Sequence, residues 1–139
     1  MNANLDLRWK QRFVHYDQSF GNLSELIQLS QTRSLSKYED AGLIQYFEIS
    51  FDLAWKLLKD YLEAQGFVDI VGSKSAIRKA FQNNLIPNGE IWMVMVEARN
   101  LTSHVYSQEA AIAISEKIKV SFYSELQMLY QQFSRLLEA

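Results

Sequence analysis

The chain has 139 residues, 48% of them apolar and 13% Phe, Trp or Tyr, with a net charge of −2 and a pI of about 5.7. That size and apolar content suit one domain over 1–139 with its own core and exclude a disordered tail. A weakly acidic chain with no clustered Lys/Arg stripe is not a general coat for nucleic acid, although a few local cations suffice for a small RNA site.

With no Cys there is no disulfide framework and no thiolate metal site. Met1 leads into polar residues rather than a signal segment, and no apolar run approaches the roughly 20 residues of a membrane span. These features suit a cytoplasmic protein without a membrane. One Pro and five Gly leave room for long uninterrupted helices, so the expected fold is all-α, an up-and-down bundle of four to five helices with two long antiparallel ones.

From Leu7 to Leu29, Trp9, Phe13, Tyr16, Phe20, Leu23 and Ile27 recur at steps of four and three, which is an amphipathic helical stripe. His15 lies off that stripe and reads as solvated. Gly21-Asn22 is a place for a kink, and Ser30 to Ser34 reads as a loop. A second helix is expected from Ser36 to Gln65, with Gly66 at its C-terminal stop. Gln45, Glu48, Asp52, Lys56, Lys59 and Glu63 fall within about 60° either side of one line down that helix. The rest of its circumference carries Leu43, Ile44, Phe47, Ile49, Phe51, Leu53, Trp55, Leu57, Leu58 and Leu62. A helix so apolar must be covered on most sides, either at the centre of the bundle or, as favoured here, partly by a second subunit.

An apolar linker from Phe67 to Gly72 leads to a short helix over 73–84 with Ile77, Ala80 and Phe81 inward. Its Lys74, Arg78 and Lys79 face outward, to phosphate or simply to water. Leu85 to Gly89 is a turn. The next helix, capped by Asn88, carries Ile91-Trp92-Met93-Val94-Met95-Val96 and runs into Glu97-Ala98-Arg99-Asn100-Leu101-Thr102-Ser103-His104-Val105-Tyr106. Ser107 then caps a last helix, which has Glu109 in its first turn and runs to Leu137 with Ile114, Ile118, Phe122, Leu126, Leu129, Phe133 and Leu137 on one stripe. No metal-binding or cofactor-binding motif stands out, so no metal and no cofactor is expected.

Arg99 shares a stripe with Trp92, Met95 and Val96, and a guanidinium on a core-facing stripe needs a partner or a wet cavity. Glu97, Glu48 and Asp52 are candidate structural partners. Arg99 and His104 lie about 140° apart on a regular helix, so they meet only if the helix breaks near Thr102-Ser103, or they face a second copy of the chain. Either arrangement sets a fixed cation near a group that titrates close to neutral pH. The plainer reading is an ion pair and a loop-closing His.

Arg, four residues, His, one residue, Tyr, with Asn100 directly after the Arg, resembles the signature of the HEPN family. The likeness is to the branch paired with minimal nucleotidyltransferases, often labelled nucleotidyltransferase substrate-binding proteins. Gln45-Tyr46-Phe47-Glu48 and Asp52 through Lys59 are similar to that branch's second helix, and the likeness covers about Gln45 to Ala111. It implies a HEPN-like bundle, a homodimer with a composite site at its interface, and a cognate nucleotidyltransferase. It also implies Tyr106 as the residue to which that transferase attaches AMP.

On this view Arg99 and His104 are the catalytic candidates for metal-independent RNA cleavage. The imidazole moves a proton, the guanidinium meets phosphoryl oxygens at two points, and two copies supply the two His that a base and an acid require. Asn100 would orient the scissile group or fix the loop. Glu48 or Asp52 would hold Arg99 or His104. Two functions follow. One is an endoribonuclease toxin silenced by its transferase partner, preferred because the whole Arg-His-Tyr set is present. The other is a non-catalytic subunit that binds nucleotide or substrate for the transferase.

Overall fold

The computed structural model describes residues 3–105 and 107–139, and among these there is helix and no strand. Helix α1 spans Ala3–Thr32 and α2 spans Lys37–Ala64. They are joined by a short turn and lie side by side over about 40 Å. Ion pairs of Arg8 with Glu63 (3.9 Å) and Arg12 with Asp60 (2.9 Å), and a buried hydroxyl pair, Ser19 with Ser50 (2.7 Å), set the register. Residue numbers rise along one helix as they fall along the other, so the pair is antiparallel, as expected.

All six stripe residues of α1 are buried. Gly21 produces no break, since α1 is continuous through it. Its weak helix propensity, a deficit of about 1 kcal/mol, is outweighed by the aromatic packing on either side. Nor does the helix end at Ser30. The hydroxyls of Ser30 and Thr32 donate to the carbonyls of Ile27 (2.6 Å) and Leu29 (2.8 Å), and the last turn continues. Helix α2 begins on a capping box. Ser36 Oγ accepts from Glu39 N (3.1 Å) and Glu39 Oε1 accepts from Ser36 N (2.8 Å), while Arg33 grips both Glu39 oxygens at 2.8 Å. The helix stops at Gly66, whose φ of +100° suits a residue without Cβ.

Helix α3 (Gly72–Gln82) and α4 (Gly89–Thr102) pack on one flank of α2. The inward position expected for Phe81 is not found: the ring is 49% exposed, and Ala76, Ile77 and Ala80 fill the buried face instead. The Phe81 ring lies flat on Gly89, where an added Cβ would come within 2.9 Å of it. Helix α5 (Gln108–Lys117), a π-helical segment (Ile118–Phe122) and α6 (Tyr123–Glu138) follow one another without a loop and close the bundle. As expected, Ser107 caps α5 by accepting from Ala110 N (3.1 Å). In the core, Phe122 stacks on Phe47 (5.3 Å between ring centres), Phe133 meets Trp9 and Tyr61 edge-on, and Tyr16 donates to the Leu126 carbonyl at 2.7 Å.

Helix α2 is the central element, touching each of the others within the one chain. Leu43, Ile44, Phe47, Phe51, Leu57, Leu58 and Leu62 are all buried there. Of the apolar surface that suggested a second subunit, only Ile49 (39% exposed) and the half-buried Leu53 and Trp55 remain uncovered.

Candidate functional site

Two clamps position α4. At its start the Asn88 side chain makes no cap bond. It donates instead to Oε2 of the buried Glu125 on α6 (2.9 Å). In the middle, Trp92, Met95 and Val96 are buried against the core, with Trp92 beside Phe51 of α2. The stripe then delivers Arg99 to the side of α2 that carries acidic residues one turn apart.

There Arg99 Nε donates to Asp52 Oδ1 (3.2 Å) and Nη2 to Asp52 Oδ2 (3.1 Å), a two-point grip. Nη1 lies 3.0 Å from Glu48 Oε2 and donates to Thr102 Oγ1 at 3.3 Å. Thr102 in turn donates to the Arg99 carbonyl (2.7 Å), so one hydroxyl ties the guanidinium to its own backbone. Hydrogen bonding to the Asp52 carboxylate holds the guanidinium above its ordinary basicity. Partial burial opposes this, and the charges of Asp52 and Glu48 add to it. Two carboxylates and one guanidinium leave a formal charge of −1 on the cluster. Glu97, also a candidate partner, pairs with Lys74 instead (3.7 Å).

A cleft of about 300 Å³ opens beside the cluster, walled by Phe51, Asp52, Trp55, Ser73, Val96, Arg99, Asn100 and Ser103. Its walls combine two aromatic side chains and Val96 with a cation, a carboxylate and three small polar side chains. Helix α4 ends at Thr102, and the His104 amide closes the turn onto the Leu101 carbonyl (2.9 Å). The helix therefore ends at Thr102-Ser103, the first of the two arrangements that the 140° separation of Arg99 and His104 left open. His104 is exposed, next in sequence to a wall residue but not itself part of the wall. The structure thus gathers Arg99, Glu48, Asp52 and Asn100, and leaves His104 beyond the helix end. Tyr106 lies outside the described residues.

Thr102, Trp55 and Ser73 belong to this neighbourhood and were not singled out from the sequence. Only Thr102, three residues after Arg99 and so on its face, left a readable signal there. The other His, His15, is exposed on α1. Among the described residues no three of His, Asp and Glu converge as metal ligands, and no helix is long and apolar enough to cross a membrane.

The described residues thus form an all-helical bundle that holds an arginine against acids of its central helix, near the end of α4. The chain matches the family model described as "nucleotidyltransferase substrate binding protein like" over residues 11–135. It belongs to that family, the HEPN-type proteins paired with nucleotidyltransferases.

A protein of Haemophilus influenzae named "Probable ribonuclease HepT" is 33% identical over 96 residues, 66% of this chain and 65% of that protein. The match thus spans slightly less than two thirds of the relative's length. A solved structure, also from Haemophilus influenzae and described as revealing the fold of a substrate binding domain of a nucleotidyltransferase, superposes with a TM-score of 0.80 at 27% identity. It covers 88% of this chain and 98% of the other. A crystal structure of a protein from Thermus thermophilus superposes with a TM-score of 0.74 at 28% identity, covering 87% and 98%.

Proposed function

We propose that this chain is the HEPN component of a two-gene toxin–antitoxin module. In this reading it is a metal-independent endoribonuclease whose composite site forms when two copies place Arg99 and His104 in one crevice. The observation that carries the reading is the buttressing of Arg99 by Asp52, Glu48 and Thr102 immediately before a helix break that frees His104. A guanidinium fixed at that point suits the negative charge that builds on the phosphoryl oxygens.

In the reaction, one imidazole takes the ribose 2′-hydroxyl proton and the 2′-oxygen attacks the adjacent phosphorus. The bond to the leaving 5′-oxygen breaks as a second imidazole, from the partner copy, returns a proton to it. The product is a 2′,3′-cyclic phosphate and a 5′-hydroxyl. Asn100, on the cleft wall, orients the scissile group. The nucleotidyltransferase implied by the family name silences the site by AMP transfer to Tyr106. The tyrosine oxygen attacks the α-phosphorus of ATP, its proton is lost, and pyrophosphate leaves. The added anion stands two residues from His104 and opposes binding of another phosphate.

The test is cleavage of labelled single-stranded RNA in chelator by wild type and His104→Ala. Wild type should leave cyclic phosphate ends, and the variant should lose about 10²-fold or more in rate, the scale of one lost proton-transfer group. Undiminished cleavage by the variant overturns the assignment of His104.

A second reading has its own support. Asp52, Glu48 and Thr102 already engage the guanidinium, and the cluster carries net negative charge. A non-catalytic subunit that presents a nucleotide or substrate to the transferase, as the name of the family suggests, requires no proton transfer at His104. Wild type that never cleaves RNA yet binds the transferase stably would establish it.

A further inference from the structure

The two acids that hold Arg99 hold it differently. A guanidinium offers two edges for two-point contact, and Asp52 fills one of them with paired hydrogen bonds from Nε (3.2 Å) and Nη2 (3.1 Å). Nη1 donates to Thr102 Oγ1 (3.3 Å), which is itself tied to the Arg99 carbonyl. The outer edge, Nη1 with the second proton of Nη2, is what remains for a phosphoryl group. One oxygen of Glu48 stands 3.0 Å from Nη1, an ion pair through a single atom in place of the paired hydrogen bonds that Asp52 accepts. Asp52 is thus braced by geometry, and Glu48 by charge alone.

We infer that Glu48 is a displaceable counter-ion, competing with an incoming phosphodiester for the guanidinium of Arg99, while Asp52 is the fixed positioning group. The inference rests on the reading of Arg99 as a phosphate-binding residue. With both acids ionised, the cluster meets an anionic ligand at net −1. A phosphoryl group that meets Nη1 competes with the Glu48 carboxylate for the same positive charge. Glu48 therefore keeps the site weak for single phosphates and sets a threshold that a substrate with several contacts can cross.

Glu48→Gln and Asp52→Asn remove the same charge, so they separate competition from simple electrostatics. The probe is a short fluorescein-labelled single-stranded RNA with 2′-O-methyl groups, which lacks the attacking hydroxyl and cannot be cleaved. Binding to the full-length protein is followed by anisotropy at low and moderate salt. Glu48→Gln should bind about three- to tenfold more tightly, the effect of one neutralised charge close to a phosphate at a solvated site. Glu48→Ala, which also clears the space, should do the same. Asp52→Asn should bind no better than wild type, because the guanidinium loses its brace.

Weaker or unchanged binding by both Glu48 variants overturns the inference. So does equal tightening by Glu48→Gln and Asp52→Asn, which would reduce Glu48 to background charge. If Arg99→Gln binds the probe as wild type does, the reading of Arg99 itself fails. If Arg99→Gln weakens binding while the Glu48 variants do not tighten it, only the competition is refuted.

Discussion

Replacing Arg99 with Gln removes the two hydrogen bonds to Asp52, the contact with Glu48 and the link to Thr102. The side chains of Arg99, Glu48 and Asp52 are 30%, 27% and 37% exposed. The cluster therefore sits between an exposed ion pair, worth about 0.2–1 kcal/mol, and a buried one, whose rupture costs about 3–5 kcal/mol. A loss of about 1.5 kcal/mol is expected at neutral pH, including a few tenths from Glu48 and Asp52 left facing each other one turn apart. For a chain of this length that lowers the melting temperature by roughly 5 °C.

A double-mutant cycle with Asp52→Asn, read by urea unfolding, should give a coupling of about 1 kcal/mol, with the double variant less destabilised than the sum of the singles. The raised basicity of Arg99 adds stability that is fully present below the ordinary range of a guanidinium and fades only as pH rises through the higher folded value. The guanidinium thus contributes no pH dependence between pH 6 and 9 (roughly, from its range of ionisation). Coupling indistinguishable from zero would refute the buttressing, and a single-variant loss above about 4 kcal/mol would place the cluster in the core instead.

The capping box makes a second prediction. Arg33, then the Ser36 amide, hold the Glu39 carboxyl down from 4.5 to about 2. Because the folded value is the lower, this stability is present above pH 4.5 and is lost as pH falls toward 2. Thermal melts of Glu39→Gln should therefore depend less on pH than wild type across that window, and a parallel dependence would contradict the assignment. In the core, Phe122→Ala removes a ring that is 1% exposed and stacked on Phe47. A loss of about 3–5 kcal/mol is expected in chemical denaturation, and a value below about 1 kcal/mol would mean that the π-helical segment relaxes to fill the space.

Helix positions were legible because the aromatic stripe of α1 and the Ser36 and Gly66 punctuation of α2 are local signals. The interruption between α5 and α6 also left a trace. Ile114, Ile118, Phe122 and Leu126 are spaced by three successive steps of four, which drift about 120° on an ideal helix. The wide turn at Ile118–Phe122 takes up part of that drift, so that Ile118, Phe122 and Leu126 all stay buried. Phe81 could not be placed from its own helix, because its resting place is the bare Cα of Gly89 across a turn. The choice of Glu48 and Asp52 over Glu97 was equally hidden. It depends on how α4 rolls against α2, and that roll is set by Trp92 and by the Asn88–Glu125 bond at the far end.

That far bond divides the motif unequally. Helix α4 is fastened at its start to α6 and near its last residue to α2, with an apolar middle between, so its final turn is registered to the molecule's interior. The guanidinium inherits that registration. The imidazole lies past the last fastening, and the turn closure onto Leu101 holds its backbone amide. Of the two groups, the cation is set by the packing of α4 on α2, and the exposed ring by the few bonds of the turn beyond it.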